Sequence, residues 1–230
     1  MVSAIVLAAG RSTRMGGGPN KQFLELHGKP VLWYSLMAFE QCAAVDEVIL
    51  VRSPDCAEMA ERIVREQGLG KVRAFVDGGS ERQNSVWNGL ALVRGEIVAV
   101  HDGARPLVTP ALIETTINSA RAHGTGIAAT KIVDTIKEAD ENRTVCRTVD
   151  RTKLWAVQTP QTVRTALLRE AYGAVLERGI LVTDEAAAVE LLGQPVNLVS
   201  TPFLNLKITT PADLASAAAL LRKPAAHFTV

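Results

Sequence analysis

The chain has 230 residues and a formal net charge of +1, with 47% hydrophobic and 21% charged residues. This balance is that of an ordinary globular protein, long enough for one large α/β domain or two small ones, and it excludes a disordered or fibrous chain. A charge near zero gives no general attraction for nucleic acid or for an anionic membrane, so any anion is expected to bind at locally placed Lys and Arg side chains.

The sequence has no pattern that favours secretion or insertion into a membrane. Met1 leads directly into the apolar run 3–9 without a preceding basic segment, and no apolar run approaches the ~20 residues of a membrane span. Cys42, Cys56 and Cys146 are odd in number and lack paired metal-ligand spacing, which favours free thiols in a reducing compartment. We therefore expect a cytoplasmic protein that binds neither membrane nor nucleic acid.

Short apolar runs alternate along the chain with longer segments of helical periodicity. The runs cover residues 4–8, 48–51, 72–76, 97–100 and 127–130. Strands that alternate with helices pair in parallel, and between the runs apolar residues such as Leu32, Leu36 and Phe39 repeat with helical spacing. The sequence predicts a single α/β domain over residues 1–230, with a Rossmann-like, mostly parallel sheet flanked by helices.

Three helix starts share one pattern, a hydroxyl residue followed by proline. They are Ser53-Pro54, Thr109-Pro110 and Thr210-Pro211. The hydroxyl can accept from free backbone N–H groups, and proline suits the first helical position. In an open parallel sheet, ligands bind outside the carboxyl ends of the strands, so the loops that follow strands are the expected site of chemistry.

Residues 134–152 depart from this alternation and are expected to form a projecting β-hairpin, called the arm below. Thr135-Ile136 and Thr144-Val145 favour strands, and the polar segment 140–142 favours the turn between them. An arm that carries apolar residues away from the core often contacts a second subunit, which predicts a homodimer. A merely solvated hairpin is an equally open interpretation.

The loop after the first run, residues 8–21, is dense in glycine and in cations. Glycines let backbone N–H groups approach phosphate oxygens, while Arg14 and Lys21 add positive charge, so the loop suits a polyphosphate. The P-loop pattern fails because Met15 occupies the position of its second glycine, and the dinucleotide fingerprint fails because Ser12 and Met15 replace two of its glycines. A solvated surface loop is the remaining alternative.

At these residues the chain resembles a known group of enzymes. Leu7-Ala8-Ala9-Gly10, Arg14-Met15 and Lys21 are similar to the signature of nucleotidyltransferases that activate sugars and polyols, and most closely to the 2-C-methyl-D-erythritol 4-phosphate cytidylyltransferase family. Further motifs appear in family order: Asp77-Gly78-Gly79, Glu81-Arg82, Ser85-Val86, His101 to Pro106, Thr148 to Arg151, Thr159-Pro160-Gln161, Thr183-Asp184-Glu185 and Lys207-Ile208-Thr209. The resemblance covers nearly the whole chain and implies the fold of nucleotide-diphospho-sugar transferases.

The resemblance implies transfer of CMP from CTP to a polyol phosphate, with release of pyrophosphate. The substrate's own phosphate oxygen attacks the α-phosphorus of CTP, so no protein nucleophile is needed. A phosphate monoester has a second pKa of about 6 and is largely dianionic at neutral pH, so no dedicated general base is needed either. Charge stabilisation is then the main task, and the family assigns it to Arg14 and Lys21, with Mg²⁺ held mainly by the CTP phosphates. For Lys21, a plain surface cation is the alternative. Matching residues imply a CTP site formed by Ala8, Ala9, Gly10, Gly79 and Ser85.

The resemblance also implies residues that hold the polyol phosphate, namely Asp102, Arg105, Thr135, Arg151, Thr183 and Lys207. Asp102 ends a strand, where substrate contact is favoured and a metal role stays undecided, and His101 is expected to be structural. Arg151 lies at the base of the arm, so it is expected to act with Thr135 in the neighbouring subunit's site. Simple helix capping is an alternative role for Thr183.

Two other functions remain open from the sequence. A ribitol 5-phosphate cytidylyltransferase would share fold, nucleotide and mechanism and differ only in the polyol pocket. A non-catalytic nucleotide-binding regulator would keep the glycine-rich loop without turnover, although the presence of Arg14, Lys21, Arg151 and Lys207 together argues against it.

Overall fold

A computed structural model describes residues 1–10, 20–201 and 204–221. The strands are β1 (Val2–Ala8), β2 (Glu25–Leu26), β3 (Lys29–Pro30), β4 (Glu47–Arg52), β5 (Val72–Asp77), β6 (Ile97–Asp102), β7 (Thr125–Lys131), β8 (Ile136–Ala139), β9 (Val145–Val149), β10 (Trp155–Arg164) and β11 (Leu198–Ser200). The helices are α1 (Val31–Gln41), α2 (Ala57–Glu66), α3 (Arg82–Leu90), α4 (Pro110–His123), α5 (Thr165–Glu177), α6 (Glu185–Glu190) and α7 (Pro211–Leu221).

Seven strands form the main sheet in the order β11-β7-β10-β6-β1-β4-β5. The pairs β1 with β4, β1 with β6, β4 with β5 and β11 with β7 are parallel. All five apolar runs identified in the sequence lie in strands of this sheet. The predicted α/β fold with a mostly parallel sheet is therefore confirmed.

The strand β10 was not anticipated and is the antiparallel member of the sheet. It pairs antiparallel with β6 on one side and with β7 on the other, and its register with β7 shifts between Val157 and Gln161. The shift brackets Thr159-Pro160, and proline inside a strand is a signal that argues against a regular central strand. Sequence periodicity therefore gave no indication of β10, although it lies in the middle of the sheet.

Helices cover both faces of the sheet, as the alternation predicts. On one face α1, α2 and α4 pack through residues such as Phe39, Ile63 and Ile117, and on the other α3, α5 and α6 pack through Leu90 and Tyr172. Successive residues of β1 point to opposite faces, so both layers share the same buried strand. This arrangement leaves the ends of the strands as the place where loops can meet a ligand.

The three hydroxyl-proline helix starts differ in detail. Thr109 Oγ1 accepts from Leu112 N at 3.3 Å, and Thr210 Oγ1 accepts from Asp213 N at 3.3 Å, as expected for capping residues. Ser53 makes no such side-chain bond, and α2 begins only after the 3-10 turn Pro54–Cys56. The predicted cap at Ser53 is wrong for this reason.

Residues 134–152 contain the predicted hairpin. β8 and β9 pair antiparallel, and Asp140 Oδ1 accepts from the backbone N–H groups of Asn142 and Thr144 at 2.9 and 2.8 Å, which closes the turn. Most side chains of the arm are exposed, Val145 among them. The hairpin is confirmed, while its role as a contact with a second subunit stays a prediction.

Candidate active site

The carboxyl ends of β1, β5 and β6 come together at one edge of the sheet. Leu7 pairs with Asp102, and Gly103 N donates to Leu7 O at 2.9 Å. The loop after β5 approaches so closely that a Cβ placed on Gly78 would lie 2.3 Å from Ala9 Cβ. Only glycine permits this contact, which brings the segments following the first and third apolar runs side by side.

Lys21 lies beside this edge in a short 3-10 turn, Lys21–Phe23. Asn20 begins the turn, since its Oδ1 accepts from Gln22 N at 3.3 Å, and both Lys21 and Gln22 are buried. A Cβ on Gly10 would lie 3.8 Å from Gln22 Nε2, so the turn packs against the start of the glycine-rich loop. Because Lys21 is buried, the alternative that it is only a surface cation does not fit the structure. Arg14, the other predicted catalytic cation, lies outside the described residues.

The Gly78-Gly79 loop is held by the first turn of α3. Gly79 N donates to Ser85 Oγ at 3.0 Å, and Ser85 Oγ donates to Glu81 O at 3.2 Å. Gly79 has no room for a side chain, because a Cβ there would lie 2.3 Å from Asn84 Cβ. Exposed backbone beside the end of β1 suits short polar contacts to a nucleoside, as the resemblance implies for Gly79 and Ser85.

Asp102 ends β6 and is surrounded by three cations, two of which, Arg82 and Lys207, come from distant parts of the chain. Lys207 Nζ lies 2.8 Å from Asp102 Oδ2, Arg82 Nε lies 3.4 Å from Oδ1, and Arg105 Nε lies 3.8 Å from Oδ2. The Asp102 side chain is only 11% exposed, while that of Lys207 is 35% exposed. The structure thus brings together three predicted substrate residues, Asp102, Arg105 and Lys207, and adds Arg82.

The electrostatics of this cluster keep the carboxylate charged. Burial by itself raises the pKa of Asp102, but the three nearby cations outweigh burial and hold the pKa well below its usual range. Burial lowers the pKa of His101 to about 3, so the adjacent imidazole is neutral. His101 Nδ1 lies 3.0 Å from Thr159 Oγ1, which agrees with the predicted structural role of this histidine.

Lys207 reaches Asp102 because its segment is tied to the loop after β6. Ile208 N donates to Ala104 O at 2.8 Å, and Arg105 donates from a guanidinium nitrogen to Asn205 O at 2.6 Å. Asn205 Nδ2 in turn donates to Thr159 O at 2.7 Å. Thr159 is therefore hydrogen-bonded both to the histidine that precedes Asp102 and to the segment that carries Lys207.

The three other predicted substrate residues, Thr135, Arg151 and Thr183, make their contacts outside this cluster. Thr183 is exposed and does not cap α6, because Asp184 Oδ1 accepts from Ala187 N at 2.9 Å and is the capping residue. The capping alternative for Thr183 is therefore wrong. Thr135 and Arg151 are exposed at the base of the arm, where the Arg151 guanidinium donates to Val133 O. No contact between these three side chains and the Asp102 cluster is seen among the described residues.

The sequence assigned no role to Arg82, Glu185 or Tyr172, which the structure places behind Asp102. Arg82 donates to both carboxylate oxygens of Glu185, at 2.7 and 3.0 Å, and Tyr172 OH donates to Glu185 Oε1 at 3.0 Å. Glu81-Arg82 and Asp184-Glu185 were visible as motifs, but their separation in the chain concealed the contact. The available signal was physical: a carboxylate such as Glu185, if buried, must have a cationic partner.

The described side chains around Asp102 do not form the oxygen-rich set of ligands that Mg²⁺ prefers. Within residues 1–10, 20–201 and 204–221 there is no group of three or more His, Cys, Asp or Glu side chains arranged to hold a metal ion. Asp102 is the carboxylate at the end of β6, and its oxygens face Lys207 and Arg82. A metal ion at Asp102 would have to compete with these cations, so the donor set does not form a protein cage for it.

A glycine-lined strand end, a buried lysine and a carboxylate surrounded by cations suit the binding of a nucleotide and a phosphate ester, as a nucleotidyltransferase requires. The model of the family IspD, 2-C-methyl-D-erythritol 4-phosphate cytidylyltransferase, matches residues 2–223. The chain belongs to this family and is an enzyme of the cytidylyltransferase class.

Curated relatives and solved structures agree with this assignment. Proteins named 2-C-methyl-D-erythritol 4-phosphate cytidylyltransferase from Geobacillus kaustophilus and Caldanaerobacter subterraneus are each 45% identical, covering 95% and 96% of this chain and 96% and 99% of their own. The structure of 4-diphosphocytidyl-2C-methyl-D-erythritol synthase from Anaerococcus prevotii is similar, with TM-score 0.84, 31% identity and coverage of 97% of this chain and 99% of its own. The cytidylyltransferase structure from Thermus thermophilus has TM-score 0.79 and 33% identity, with coverage of 95% and 98%.

None of the helices in the described part of the chain combines the length and apolar character needed to cross a membrane.

Proposed function

We propose that this protein transfers CMP from CTP to 2-C-methyl-D-erythritol 4-phosphate, giving 4-diphosphocytidyl-2-C-methyl-D-erythritol and pyrophosphate in the non-mevalonate route to isoprenoid precursors. The observation that carries the proposal is the Asp102 cluster, placed at the sheet edge beside the Gly78-Gly79 loop. One carboxylate among three cations offers acceptors and donors to a hydroxylated phosphate ester. The names of the relatives support this substrate pair.

In the proposed reaction a phosphate oxygen of the polyol phosphate attacks the α-phosphorus of CTP. A new P–O bond forms, the bond from the α-phosphorus to the bridging oxygen breaks, and pyrophosphate leaves with the electron pair. The attacking phosphate is largely ionised at neutral pH, so no side chain has to remove a proton. Lys21, with Arg14, stabilises the negative charge that gathers on the α-phosphate in the transition state.

Mg²⁺ is proposed to enter bound mainly to the CTP phosphates, where it would neutralise charge and orient the triphosphate. The residues of this chain then have separate tasks. Gly79 and Ser85 hold the nucleoside through the loop fixed by α3, and Ala8, Ala9 and Gly10 offer backbone to the triphosphate. Lys21 supplies its charge from a buried turn, which limits its alternative orientations.

The polyol phosphate is proposed to bind at the Asp102 cluster. The carboxylate accepts from substrate hydroxyls, while Lys207 is the most exposed of the three cations by its side chain and supplies charge to the phosphate. Arg105 is 12% exposed and donates to Asn205 O, so it ties Asp102 to the segment that carries Lys207. The family resemblance implies that Thr183 contacts the same substrate.

The active form is proposed to be a homodimer joined through the arm. Exposed apolar side chains on and beside the arm support this, with Val133 77%, Val145 55% and Val157 40% exposed. Thr135 and Arg151 lie at the base of the arm, so in a dimer they would reach the neighbouring subunit's polyol site. The free, exposed thiol of Cys146 suits a cytoplasmic location.

The test is pyrophosphate release from CTP and Mg²⁺, measured with 2-C-methyl-D-erythritol 4-phosphate and with ribitol 5-phosphate. A preference for the methylerythritol compound is expected. A preference for ribitol 5-phosphate would move the protein to the alternative cytidylyltransferase activity, and absence of turnover with both would leave a nucleotide-binding regulator. Either of these outcomes overturns the proposal.

A further inference from the structure

An ion pair with a fully buried carboxylate lies behind the proposed polyol site. Glu185, the first residue of α6, has no exposed surface, and both of its carboxylate oxygens accept from the guanidinium of Arg82 at 2.7 and 3.0 Å. A bidentate pair of this kind fixes the plane of the guanidinium as well as its position. The Arg82 side chain is 28% exposed, so it extends from the interior toward the edge of the sheet.

Glu185 is itself held by neutral groups of the core. Tyr172 OH donates to Glu185 Oε1 at 3.0 Å, and burial raises the pKa of this hydroxyl, so it remains a donor. Gln161 fixes the start of α6, because its Oε1 accepts from Ala186 N at 2.9 Å and its Nε2 donates to Asp184 Oδ2 at 3.0 Å. The carboxylate of Glu185 is therefore part of a rigid frame.

The third nitrogen of the same guanidinium faces the site. Arg82 Nε donates to Asp102 Oδ1 at 3.4 Å, while Lys207 binds the other oxygen of that carboxylate. The cluster then contains three cations, Arg82, Arg105 and Lys207, and two carboxylates, which leaves a net charge of +1. Without Glu185, the guanidinium of Arg82 could rotate toward Asp102 or toward the substrate phosphate.

We infer that Glu185 is a positioning residue for the polyol phosphate site, acting through Arg82 on the orientation of Asp102. The bidentate pair holds the guanidinium so that Nε is the nitrogen that contacts Asp102 Oδ1, while the other oxygen of Asp102 faces Lys207. This inference rests on the proposed function, because it concerns the site of the same substrate. Glu185 itself, having no exposed surface, does not touch that substrate.

The inference predicts a selective effect on one substrate. The nucleoside loop is fixed by Ser85 Oγ and the backbone of Glu81, neither of which depends on the Arg82 side chain. Loss of the Glu185 charge should therefore raise KM for the polyol phosphate by about tenfold, the size of coupling seen between residues of one ion-pair network. KM for CTP should change less than about twofold.

The experiment compares Glu185→Gln with Glu47→Gln in the full-length protein, measuring kcat, both KM values and thermal unfolding. Glu47 is a matched control, since it is a buried carboxylate paired with Arg94 and Ser3 at the opposite end of the sheet. Both variants should lower the melting temperature, but only Glu185→Gln should raise KM for the polyol phosphate. Tyr172→Phe, which removes one neutral donor, should change KM in the same direction by a smaller factor and serves if Glu185→Gln does not fold.

A double-mutant cycle with Asp102→Asn separates positioning from a general structural role. If Glu185 acts through Asp102, Glu185→Gln added to Asp102→Asn should raise KM for the polyol phosphate by less than about twofold further. A full tenfold increase in that background, or an equal effect of Glu47→Gln, would overturn the inference. The wild-type enzyme assayed in parallel tests the proposed function separately, because its activity does not depend on how the variants behave.

Discussion

Lys207 Nζ lies 2.8 Å from Asp102 Oδ2, and this is the shortest contact between a cation and the carboxylate that ends β6. The lysine comes from a segment near the C-terminus that runs beside the loop after β6, where Ile208 N donates to Ala104 O. Lys207 is about one-third exposed, whereas Asp102 is almost buried. The pair therefore presents a positive charge to solvent that a buried negative charge holds in place.

Lys207→Met should weaken binding of the polyol phosphate while leaving the nucleotide site intact. A charge-assisted hydrogen bond is worth about 1.5–3 kcal/mol, so KM for the polyol phosphate is expected to rise roughly tenfold to a hundredfold. KM for CTP should stay within about twofold. Lys29→Met is the control, because Lys29 donates to Gln67 Oε1 at 2.9 Å, away from the Asp102 cluster. An unchanged KM for the polyol phosphate would remove Lys207 from the substrate site.

Lys21→Ala should lower kcat by a larger factor than it changes KM for CTP or KM for the polyol phosphate. A preorganised charge that acts in the transition state contributes about 3 kcal/mol, so the loss is expected to be on the order of a hundredfold or more. Steady-state kinetics would measure it, and Arg14→Ala is expected to behave similarly. Because Lys21 is buried, thermal unfolding of the variant must be compared with wild type. A variant that is folded and retains wild-type kcat would contradict the catalytic role of Lys21.

Gly78→Ala should raise KM for CTP by about tenfold or more, since the new Cβ would lie 2.3 Å from Ala9 Cβ and would push the two loops apart. The matched control is Gly173→Ala in α5, where no atom lies within 4 Å of the Cβ position. That substitution should leave CTP binding unchanged and stabilise the protein by about 0.5–1 kcal/mol. Equal KM values for CTP in the two variants would show that the approach of Gly78 to Ala9 does not shape the nucleotide site.

The buried His101 should make the protein less stable as the pH falls below about 6.5. Burial lowers its pKa to about 3 in the folded state, whereas in the unfolded chain the pKa is near 6.5. Between these values the unfolded state binds a proton that the folded state does not, so the free energy of unfolding decreases toward acid. From pH 8 to pH 5 the loss from this residue is on the order of 2 kcal/mol.

His101→Asn should flatten this pH dependence, even if it lowers stability at every pH. Urea unfolding at pH 5 and pH 8 measures the difference for the variant and for wild type. His123→Asn, at an exposed histidine that ends α4, is the control and should leave the slope unchanged. A slope that persists in His101→Asn would mean that other groups cause the acid destabilisation.

Deletion of residues 138–145 should give a monomer with weakened binding of the polyol phosphate. The deletion removes the end of the arm, including the turn closed by Asp140, and leaves the main sheet in place. Sedimentation velocity would give the oligomeric state, and KM for the polyol phosphate would report on the site that Thr135 and Arg151 are proposed to complete. A deletion variant that remains a fully active dimer would rule out the arm as the interface.

Local patterns in the sequence were enough for most of the fold. Apolar runs identified β1, β4, β5, β6 and β7, and Thr109-Pro110 marked the start of α4, because strand periodicity and capping depend on neighbouring residues. The hairpin in the arm was also predicted, from the polar residues of its turn. β10 was missed because Pro160 interrupts its pattern, although its pairing with both β6 and β7 makes it a central strand.

Several residues of the family signature lie at the sheet edge, as expected for loops that follow parallel strands, while their roles stay predictions. Ala9 and Gly79 follow strands and Asp102 ends one, and the carboxyl ends of these strands lie at the same edge because the strands are parallel. The cap of α6 could not be assigned to the right residue, since Thr183 and Asp184 are both competent capping residues. Only the structure shows that Asp184 occupies the position.

By itself, the sequence determined the α/β class and the resemblance to a cytidylyltransferase, because these depend on short patterns of residues. Tertiary structure alone decided which charges meet. Arg82, Glu185 and Lys207 are far apart in the chain, yet they converge around Asp102. The physical reason is that a buried carboxylate is stable only when cations compensate it, and the long-range packing of strands and helices chooses which cations those are.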